Sequence, residues 1–337
     1  MQNNRGPTIS VVIPTYNRAG RLTRAIDSVL AQSRPVDEII VVDDGSADET
    51  ATVVQAYGPP VRYIWQENTG PAAARNRGIA EARGTWIAFL DSDDRWFPDK
   101  MARQMAVLDA YPQLRWCGGE IVMVKRDREY VRPLTRQNAR TLSKHGFFPC
   151  FLTAFRLGCD HGMTCAMVIH REVFGRVGCF DPALPYSGED GELWFRIACV
   201  YPAIGWLHDP VFYCHNDSPD GLHAPQTHQM WCSVLSACWR NVTSISGANP
   251  RLLRPIMRDK SLVSALKQLE AGLGSVTKSD VTICRDLLRM FGLSRLLIAG
   301  LDALPECCSR RIAARVLVLR QVWLRHVRDK RSWEPAR

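Results

Sequence analysis

About the first 115 residues alternate short apolar runs with segments that have the spacing of helices. The runs are rich in β-branched residues and predict buried strands, whereas Leu22, Ile26, Val29 and Leu30 recur at intervals that predict a helix. Strands and helices that alternate in this way connect through right-handed crossovers into a mostly parallel sheet. The chain is therefore expected to fold as an α/β domain. The four predicted strands are TISVVIPTY, EIIVVDDGS, VRYIWQ and WIAFLD.

Polar residues collect where these strands end, and the carboxyl edge of such a sheet is where ligands bind. Asp91, Asp93 and Asp94 follow the fourth strand directly, and carboxylates this close repel one another unless a cation or water screens them. Hard divalent cations such as Mg²⁺ take carboxylate oxygens together with substrate phosphates. An isolated Asp-x-Asp more often ends a strand in water, but the position of this cluster favours a site for a metal and a diphosphate.

Two common nucleotide-binding patterns are absent from the sequence. No G-x-x-x-x-G-K-[ST] loop occurs, and DDGSADE lacks the glycine spacing of G-x-G-x-x-G. The sequence therefore supports neither a P-loop ATPase nor a dinucleotide oxidoreductase. A nucleotide in this sheet would be held by the acidic edge together with a metal.

The positive charge of the chain is concentrated in its last third. From Met230 onward there are 19 Lys and Arg against 8 Asp and Glu, whereas the whole chain has a net charge of +9. Residues 312–327 carry apolar side chains at helical spacing with arginines opposite, which predicts a basic amphipathic helix. Such a helix suits an anionic membrane surface, or packs its apolar stripe on neighbouring helices. No aromatic-basic RNA motif accompanies it, so a nucleic-acid partner is not expected.

Several longer motifs follow one another between about Thr8 and Pro202: SVVIPTYNRAGRLTRAIDSVLAQS, EIIVVDDGSADET, ENTGPAAARNRGIAEARGTWIAFLDSDDRWFPDKM and FDPALPYSGEDGELWFRIA. In this order and spacing they resemble the family 2 glycosyltransferases, an inverting family with the GT-A fold. The resemblance implies a mostly parallel nucleotide-binding sheet flanked by helices, a nucleoside diphosphate sugar as donor (a UDP-sugar foremost), and Mg²⁺ or Mn²⁺ as the metal. We expect a GT-A domain over residues 1–225, with a nucleotide half at about 8–115 and an acceptor half at about 116–225, then a basic helical region over 226–337.

The resemblance also implies which residues bind the donor. Pro14, Thr15 and Tyr16 would surround the base and ribose, with the Tyr16 ring suited to stacking. Asp44 would accept the ring N–H of the base, and Asp91 would face the ribose or uracil. Each has a structural alternative: Tyr16 as a core aromatic and Asp44 as the start of a turn before a glycine.

Three further donor-site assignments come from the resemblance. Arg75, with Asn76 beside it, would approach the nucleotide or the acidic cluster, and the alternative is an arginine on a helix surface. Asp93 would bind the metal under the diphosphate. His215 is a second, weaker metal candidate, because the basic residue that often precedes this histidine in relatives is missing here.

The catalytic base implied by the resemblance is Asp190 in SGEDGELWFRIA. Inverting transfer needs one base to take the proton of the attacking hydroxyl. The alternative is that Asp190 only caps the helix that starts there. Trp194, one helical turn further on, is expected in the core rather than in an acceptor pocket, and Glu192 is expected to face solvent.

The expected function is transfer of a sugar to a hydroxyl of a glycan or a lipid-linked saccharide. Two alternatives stay open: a non-catalytic module that binds sugar nucleotides or membrane, and a sugar nucleotidyltransferase. Nucleotidyltransferases usually have a Gly-rich N-terminal loop followed by a basic residue, and the corresponding segment here, IPTYNRAGRL, lacks this pattern. No signal peptide or membrane-spanning apolar run is visible, and the 12 cysteines contain no C-x-x-C pair. We therefore expect a cytoplasmic protein. The basic helix offers it a peripheral attachment to the inner face of the plasma membrane, with packing inside the protein as the alternative.

Overall fold

The computed structural model describes residues 6–126, 128–131, 133–159, 163–184, 188–215, 228–256 and 334–335. The strands in this part of the chain are β1 Ile9–Thr15, β2 Glu38–Asp43, β3 Val61–Trp65, β4 Trp86–Phe89, β5 Arg95–Trp96, β6 Trp116–Lys125, β7 Arg128–Val131, β8 Phe147–Phe148, β9 Val168–His170, β10 Ile204–His215 and β11 Glu334–Pro335. The helices are α1 Ala19–Leu30, α2 Thr50–Gln55, α3 Pro71–Glu81, α4 Lys100–Ala110, α5 Arg136–His145, α6 Phe151–Arg156, α7 Arg171–Val177, α8 Glu189–Ala198 and α9 His228–Thr243, with 3₁₀ turns at Thr164–Ala166 and Pro250–Leu253.

One sheet organises the domain, in the order β11-β7-β6-β9-β4-β1-β2-β3. The four strands of the N-terminal half, β4, β1, β2 and β3, pair in parallel, as the alternating pattern predicts. β9 joins β4 and β6 in antiparallel pairing, and β10 runs parallel to β6 while its other contacts reach β5 and β8. The α/β fold with a mostly parallel sheet between helices is thus confirmed for the nucleotide half.

The core lies on both faces of the sheet because its central strands are apolar on both sides. Val12, Ile40 and Val42 point to one face, which is also covered by α3 and α8. The alternate residues Ile13 and Val41 point to the other face, where α1 and α4 pack. Both central strands are buried along their whole length. Both strands end on a polar residue, so polar side chains gather at the carboxyl edge of the sheet.

The C-terminal region is described only in part. α9 begins at His228, close to the predicted start of the helical region at 226, and packs on α8. The predicted amphipathic helix at 312–327 lies outside the described residues, and the domain boundaries stay a prediction. None of the helices in the described part is long and apolar enough to cross a membrane.

Glu192 is the expectation that the structure overturns. Its side chain is fully buried in α8 and forms an ion pair with Arg196, one helical turn away. Asn241 of α9 donates a further hydrogen bond to the Glu192 carboxylate at 3.0 Å. Arg196 also donates to the backbone oxygens of Val177 and Cys179, so the pair is satisfied from three elements. A buried carboxylate is tolerated when it is paired and hydrogen-bonded in this way.

Lys100 is a second buried charge-bearing group, at the start of α4. Its ammonium lies 4.3 Å from the centre of the Trp96 ring and donates to the side-chain oxygen of Gln104 at 2.5 Å. Burial lowers the pKa of Lys100 to about 7. The unfolded chain would hold this proton up to about pH 10.4, the ordinary value for a lysine. The folded protein therefore prefers the neutral amine at pH values above 7.

This difference predicts a pH dependence of stability. Between the folded and unfolded pKa values the unfolded state binds more protons, so the free energy of unfolding rises with pH. From pH 7.0 to 8.5 we expect a gain of about 1.5 kcal/mol from this one group. Lys100→Met should lose that rise, because Met has no proton to release. Urea denaturation at both pH values measures the free energy of unfolding. The same rise in this free energy in the variant and in the wild type would contradict the prediction.

Candidate active site

The acidic loop after β4 is built around a buried carboxylate, Asp94. Its two oxygens accept hydrogen bonds from the backbone N–H of His215 at 2.9 Å and from the thiol of Cys165 at 3.3 Å. The same thiol sulfur accepts the backbone N–H of Asp91 at 3.2 Å. Burial and the charges of Asp91 and Asp93 raise the pKa of the Asp94 carboxyl well above its usual value. The loop is therefore folded over the carboxyl group of Asp94 and the thiol of Cys165.

Asp91 and Asp93 are the more accessible acids of this loop. The Asp91 side chain is about one-third exposed (33%), and Asp93 is half-buried. Burial and the charge of Asp91 raise the pKa of Asp93. Arg24 of α1 donates to the backbone oxygen of Asp93 at 2.5 Å, which fixes the loop from the side of α1.

The crowded carboxylates fit a divalent cation. Ligand atoms of Asp91, Asp94 and Cys165 lie within 4.8 Å of one another. The three aspartates of the loop, Asp91, Asp93 and Asp94, repel one another, and a bound dication would reduce this repulsion. Mg²⁺ and Mn²⁺ prefer such oxygen ligands. Asp93 is outside this group, and the ring Nδ1 of His215 lies 3.9 Å from an Asp94 oxygen. The choice of Asp93 and His215 as ligands stays a prediction.

Arg75 of α3 connects this loop with the start of α8. One terminal nitrogen donates to Asp91 at 2.8 Å and the other to Glu189 at 3.0 Å. The side chain is buried, and its guanidinium lies 5.5 Å from the centre of the Phe180 ring. Although burial opposes the charged form, Asp91 and Glu189 raise the pKa of Arg75 above its ordinary value. The alternative of a helix-surface arginine is therefore wrong.

Asp190 follows Glu189 in the first turn of α8. The helix begins after Gly188, whose φ of 112° is a conformation that a glycine adopts readily. Asp190 is half-buried, and one of its oxygens accepts the backbone N–H of Gly191 at 2.6 Å. This contact satisfies one backbone N–H in the first turn of α8 and uses only one of the two Asp190 oxygens. Trp194 is fully buried in the core, as expected.

The carboxyl ends of β1 and β2 lie at the same edge of the sheet as the acidic loop. Tyr16 is about half exposed (49%), so it is not a core aromatic, whereas Pro14 and Thr15 are buried. The Thr15 hydroxyl has no hydrogen-bond partner among the residues that the structure describes. Asn17 joins the two strand ends, because its N–H donates to Ser46 and its side-chain oxygen accepts from Ala47.

Asp43 and Asp44 divide two structural tasks between them. Asp43 accepts a hydrogen bond from the backbone N–H of Ser46 at 2.8 Å. The carboxylate that stabilises the turn before Gly45 is therefore that of Asp43 and not that of Asp44. Asp44 is buried, with one oxygen accepting from Gln66 and Thr69 and the other from the backbone N–H of Gly70. It therefore holds the loop that leads into α3. Its contact with a nucleotide base stays a prediction.

Two residues of this region were not singled out as site residues by the sequence. Cys165 is 74 residues away from Asp91 along the chain, and no local pattern connects a thiol in a 3₁₀ turn with an acidic loop. Glu189 carries no sequence signal of its own beyond its position next to Asp190. Its pairing with Arg75 spans 114 residues and depends on how α3 and α8 meet.

A mostly parallel sheet between helices, with an acidic loop at its carboxyl edge that Arg75 joins to Glu189 at the start of α8, is typical of a GT-A-type α/β protein. Residues 10–177 match the family described as "Glycosyl transferase family 2". By this domain the chain belongs to the family 2 glycosyltransferases, as the motifs predicted.

Named relatives agree with this assignment. The chain is 36% identical over 207 residues to an uncharacterized glycosyltransferase of Rickettsia typhi, a match that covers 59% of this chain and 62% of the relative. It thus spans about three-fifths of that relative's length. A shorter match, 48% identical over 106 residues, covers 31% of this chain and 30% of the succinoglycan biosynthesis protein ExoO of Rhizobium meliloti.

The fold is shared with two solved structures. The crystal structure of S. aureus TarS 1-349 in complex with UDP-GlcNAc has a TM-score of 0.64 and 18% identity, over 84% of this chain and 80% of that one. The mannosyltransferase PcManGT of Pyrobaculum calidifontis, in complex with GDP-Man and Mn²⁺, has a TM-score of 0.52 and 20% identity, over 97% and 89%. At these identities the likeness establishes the fold alone.

Proposed function

We propose that this protein is an inverting glycosyltransferase. It moves a sugar from a nucleoside diphosphate sugar, a UDP-sugar foremost, to a hydroxyl of a glycan or lipid-linked saccharide. The observation that carries this proposal is the Arg75 bridge, because it joins the acidic loop at Asp91 to the start of α8. Donor diphosphate and acceptor hydroxyl can then meet across one sugar ring in a single cleft.

Asp190 is the proposed base. It takes the proton of the acceptor hydroxyl while that oxygen bonds to the anomeric carbon. The bond from the anomeric carbon to the diphosphate breaks, and its electron pair leaves with the nucleoside diphosphate. A single displacement inverts the anomeric centre and needs no second acid. Glu189 is buried and paired with Arg75, so it is poorly placed to share this proton.

The donor would lie along the carboxyl edge of the sheet. Asp93 would hold Mg²⁺ or Mn²⁺, which when bound stabilises the negative charge of the leaving diphosphate, and Asp91 would face the ribose or the uracil. Tyr16 offers an exposed ring on which the base stacks, and Asp44 shapes the base pocket by holding the loop before α3. The ligands named for TarS and PcManGT, UDP-GlcNAc and GDP-Man with Mn²⁺, support a donor of this class.

The acceptor is proposed to be a growing saccharide. The matching domain of ExoO belongs to a protein named for succinoglycan biosynthesis, and that of TuaG of Bacillus subtilis to one named for teichuronic acid biosynthesis. Lipid-linked saccharides extracted from cells that lack the protein should lack one sugar in intact-mass spectra. Unchanged masses would contradict this acceptor.

Calorimetric binding of nucleotides tests the donor site. UDP, GDP and dTDP are titrated with Mn²⁺ and again with EDTA. We expect UDP to bind most tightly and its affinity to fall at least about tenfold in EDTA, since a metal held by Asp93 would attract the charge of the diphosphate. Binding of none of the three would contradict the proposal. Binding without release of the nucleoside diphosphate from any donor sugar would favour the non-catalytic module.

The position in the cell is also proposed from the sequence. The basic region after Met230 would hold the protein at the inner face of the plasma membrane. Co-sedimentation with phosphatidylglycerol vesicles, and not with phosphatidylcholine vesicles, is the expected result at moderate salt. Equal recovery with both vesicles, or with neither, would contradict the electrostatic attachment.

A further inference from the structure

Glu189 is a buried carboxylate whose two oxygens differ. One oxygen accepts from Arg75 at 3.0 Å, and the other has no hydrogen-bond partner within the described ranges. Burial and the neighbouring charge of Asp190 raise the pKa of Glu189. A carboxylate kept in such a place costs folding free energy, because burial and a like charge both disfavour its ionised form. The ion pair with Arg75 offsets part of this cost, but it satisfies only one of the two oxygens.

The partner of Glu189 is held on several sides. Arg75 reaches Asp91 with one nitrogen and Glu189 with another, while Phe180 lies against its guanidinium plane. The next residue, Asn76, clamps the backbone of Phe180 through two hydrogen bonds, one from its amide nitrogen at 2.8 Å and one to its amide oxygen at 2.9 Å. Through these side chains, α3 contacts both the acidic loop and the segment that leads to α8, and so holds the two together.

We propose that Glu189 is a positioning residue, which sets the separation between the donor carboxylate Asp91 and the base Asp190 through Arg75. This inference rests on the proposed glycosyl transfer. The geometry supports it because Asp190 is the residue after Glu189, so fixing Glu189 fixes the first turn of α8. A misplacement of about 1 Å at a reacting centre is enough to lower a rate about 100-fold. The pair thereby makes the base depend on the donor side of the cleft.

The test compares Glu189→Gln with Glu81→Gln. Gln at 189 keeps the length of the side chain and one acceptor for Arg75 but removes the charge. Glu81 is the matched control, because it also pairs with an arginine of α3, Arg77, yet lies at the far end of that helix. The turnover assay follows release of UDP from UDP-sugars in the presence of extracted lipid-linked saccharides.

For Glu189→Gln we expect kcat to fall about 10- to 100-fold while the Kd for UDP with Mn²⁺ changes less than about threefold. The midpoint of thermal unfolding should stay close to that of the wild type, and Glu81→Gln should match the wild type throughout. Arg75→Lys should also lose kcat, because one ammonium cannot hold both carboxylates with planar geometry. Adding Glu189→Gln to Arg75→Lys should lower kcat little further, since both changes break one connection.

Several outcomes would overturn the inference. These are a wild-type kcat in folded Glu189→Gln, a loss of UDP affinity equal to the loss of rate, or losses that multiply in the double variant. If Glu189→Gln does not fold, a wild-type kcat in Arg75→Lys overturns it equally. A wild-type protein that binds no nucleotide and transfers no sugar would instead refute the proposed function, so the two failures are distinct.

Discussion

Asp190→Asn is expected to lower the rate of sugar transfer about 100- to 10,000-fold, the contribution of a general base. Asn has nearly the same size and keeps an oxygen that can accept the backbone N–H of Gly191, so α8 should start as before. It cannot take a proton from the acceptor hydroxyl. The affinity for UDP with Mn²⁺ should stay within about threefold of the wild type, because the proposed role of Asp190 is on the acceptor and not on the nucleotide.

The measurement for this variant is kcat for UDP release together with calorimetric binding of UDP. Asp109→Asn is the control: Asp109 is an exposed acid of α4 that pairs with Arg34, and its loss should leave both quantities unchanged. Activity that persists in Asp190→Asn would show that another group takes the proton. Joint loss of activity and of UDP binding would place Asp190 on the donor side of the cleft instead.

Asp93→Asn carries the second large expected effect. The variant should bind UDP equally with Mn²⁺ and with EDTA, because the neutral amide is a poor ligand for a hard dication. Transfer should fall at least about 100-fold, since leaving-group stabilisation is lost with the metal.

Competition between protons and Mn²⁺ for Asp93 gives a further test. The raised pKa of Asp93 means that its carboxyl protonates at higher pH than an ordinary aspartate, so Mn²⁺ affinity in the wild type should weaken as the pH falls towards mildly acidic values.

Comparison of three variants separates the ligands of the metal. If Asp93→Asn keeps a Mn²⁺-dependent affinity for UDP while Asp91→Asn and Asp94→Asn lose it, the ligands are the group around Cys165. That result would contradict the role of Asp93. Cys165→Ala would then be the decisive fourth variant, because Cys165 has no other proposed role in binding the donor.

The fold of the nucleotide half could be predicted because its signals are local. Continuous apolar runs such as Ile39 to Val42 have no polar face, and a strand without a polar face must be covered on both sides. The strand ends then place Tyr16, Asp44 and Asp91 at one edge without any knowledge of tertiary contacts. The alternation of strands and helices was enough to fix this arrangement.

The details of the site depend on contacts between distant segments, which no local pattern encodes. Glu192 belongs to the acidic first turn of a helix, as Glu189 and Asp190 do, so its exposure is the natural expectation. Its burial follows from Arg196 on the same helix and Asn241 on α9, which together satisfy the carboxylate. The links from Cys165 to Asp94 and from Arg75 to Glu189 likewise arise only when separate elements pack.

The central claim is that Asp93, in the acidic loop after β4, would hold one divalent ion that stabilises the donor diphosphate, while Asp190 faces the sugar being transferred. An anomalous-difference map from a crystal grown with UDP and Mn²⁺ tests it most directly. We expect one strong peak at coordination distance from a carboxylate oxygen of Asp93 and from the diphosphate, with Asp190 facing the space where the sugar would lie. UDP bound with no Mn²⁺ at this loop, or bound away from the carboxyl edge of the sheet, would contradict the claim.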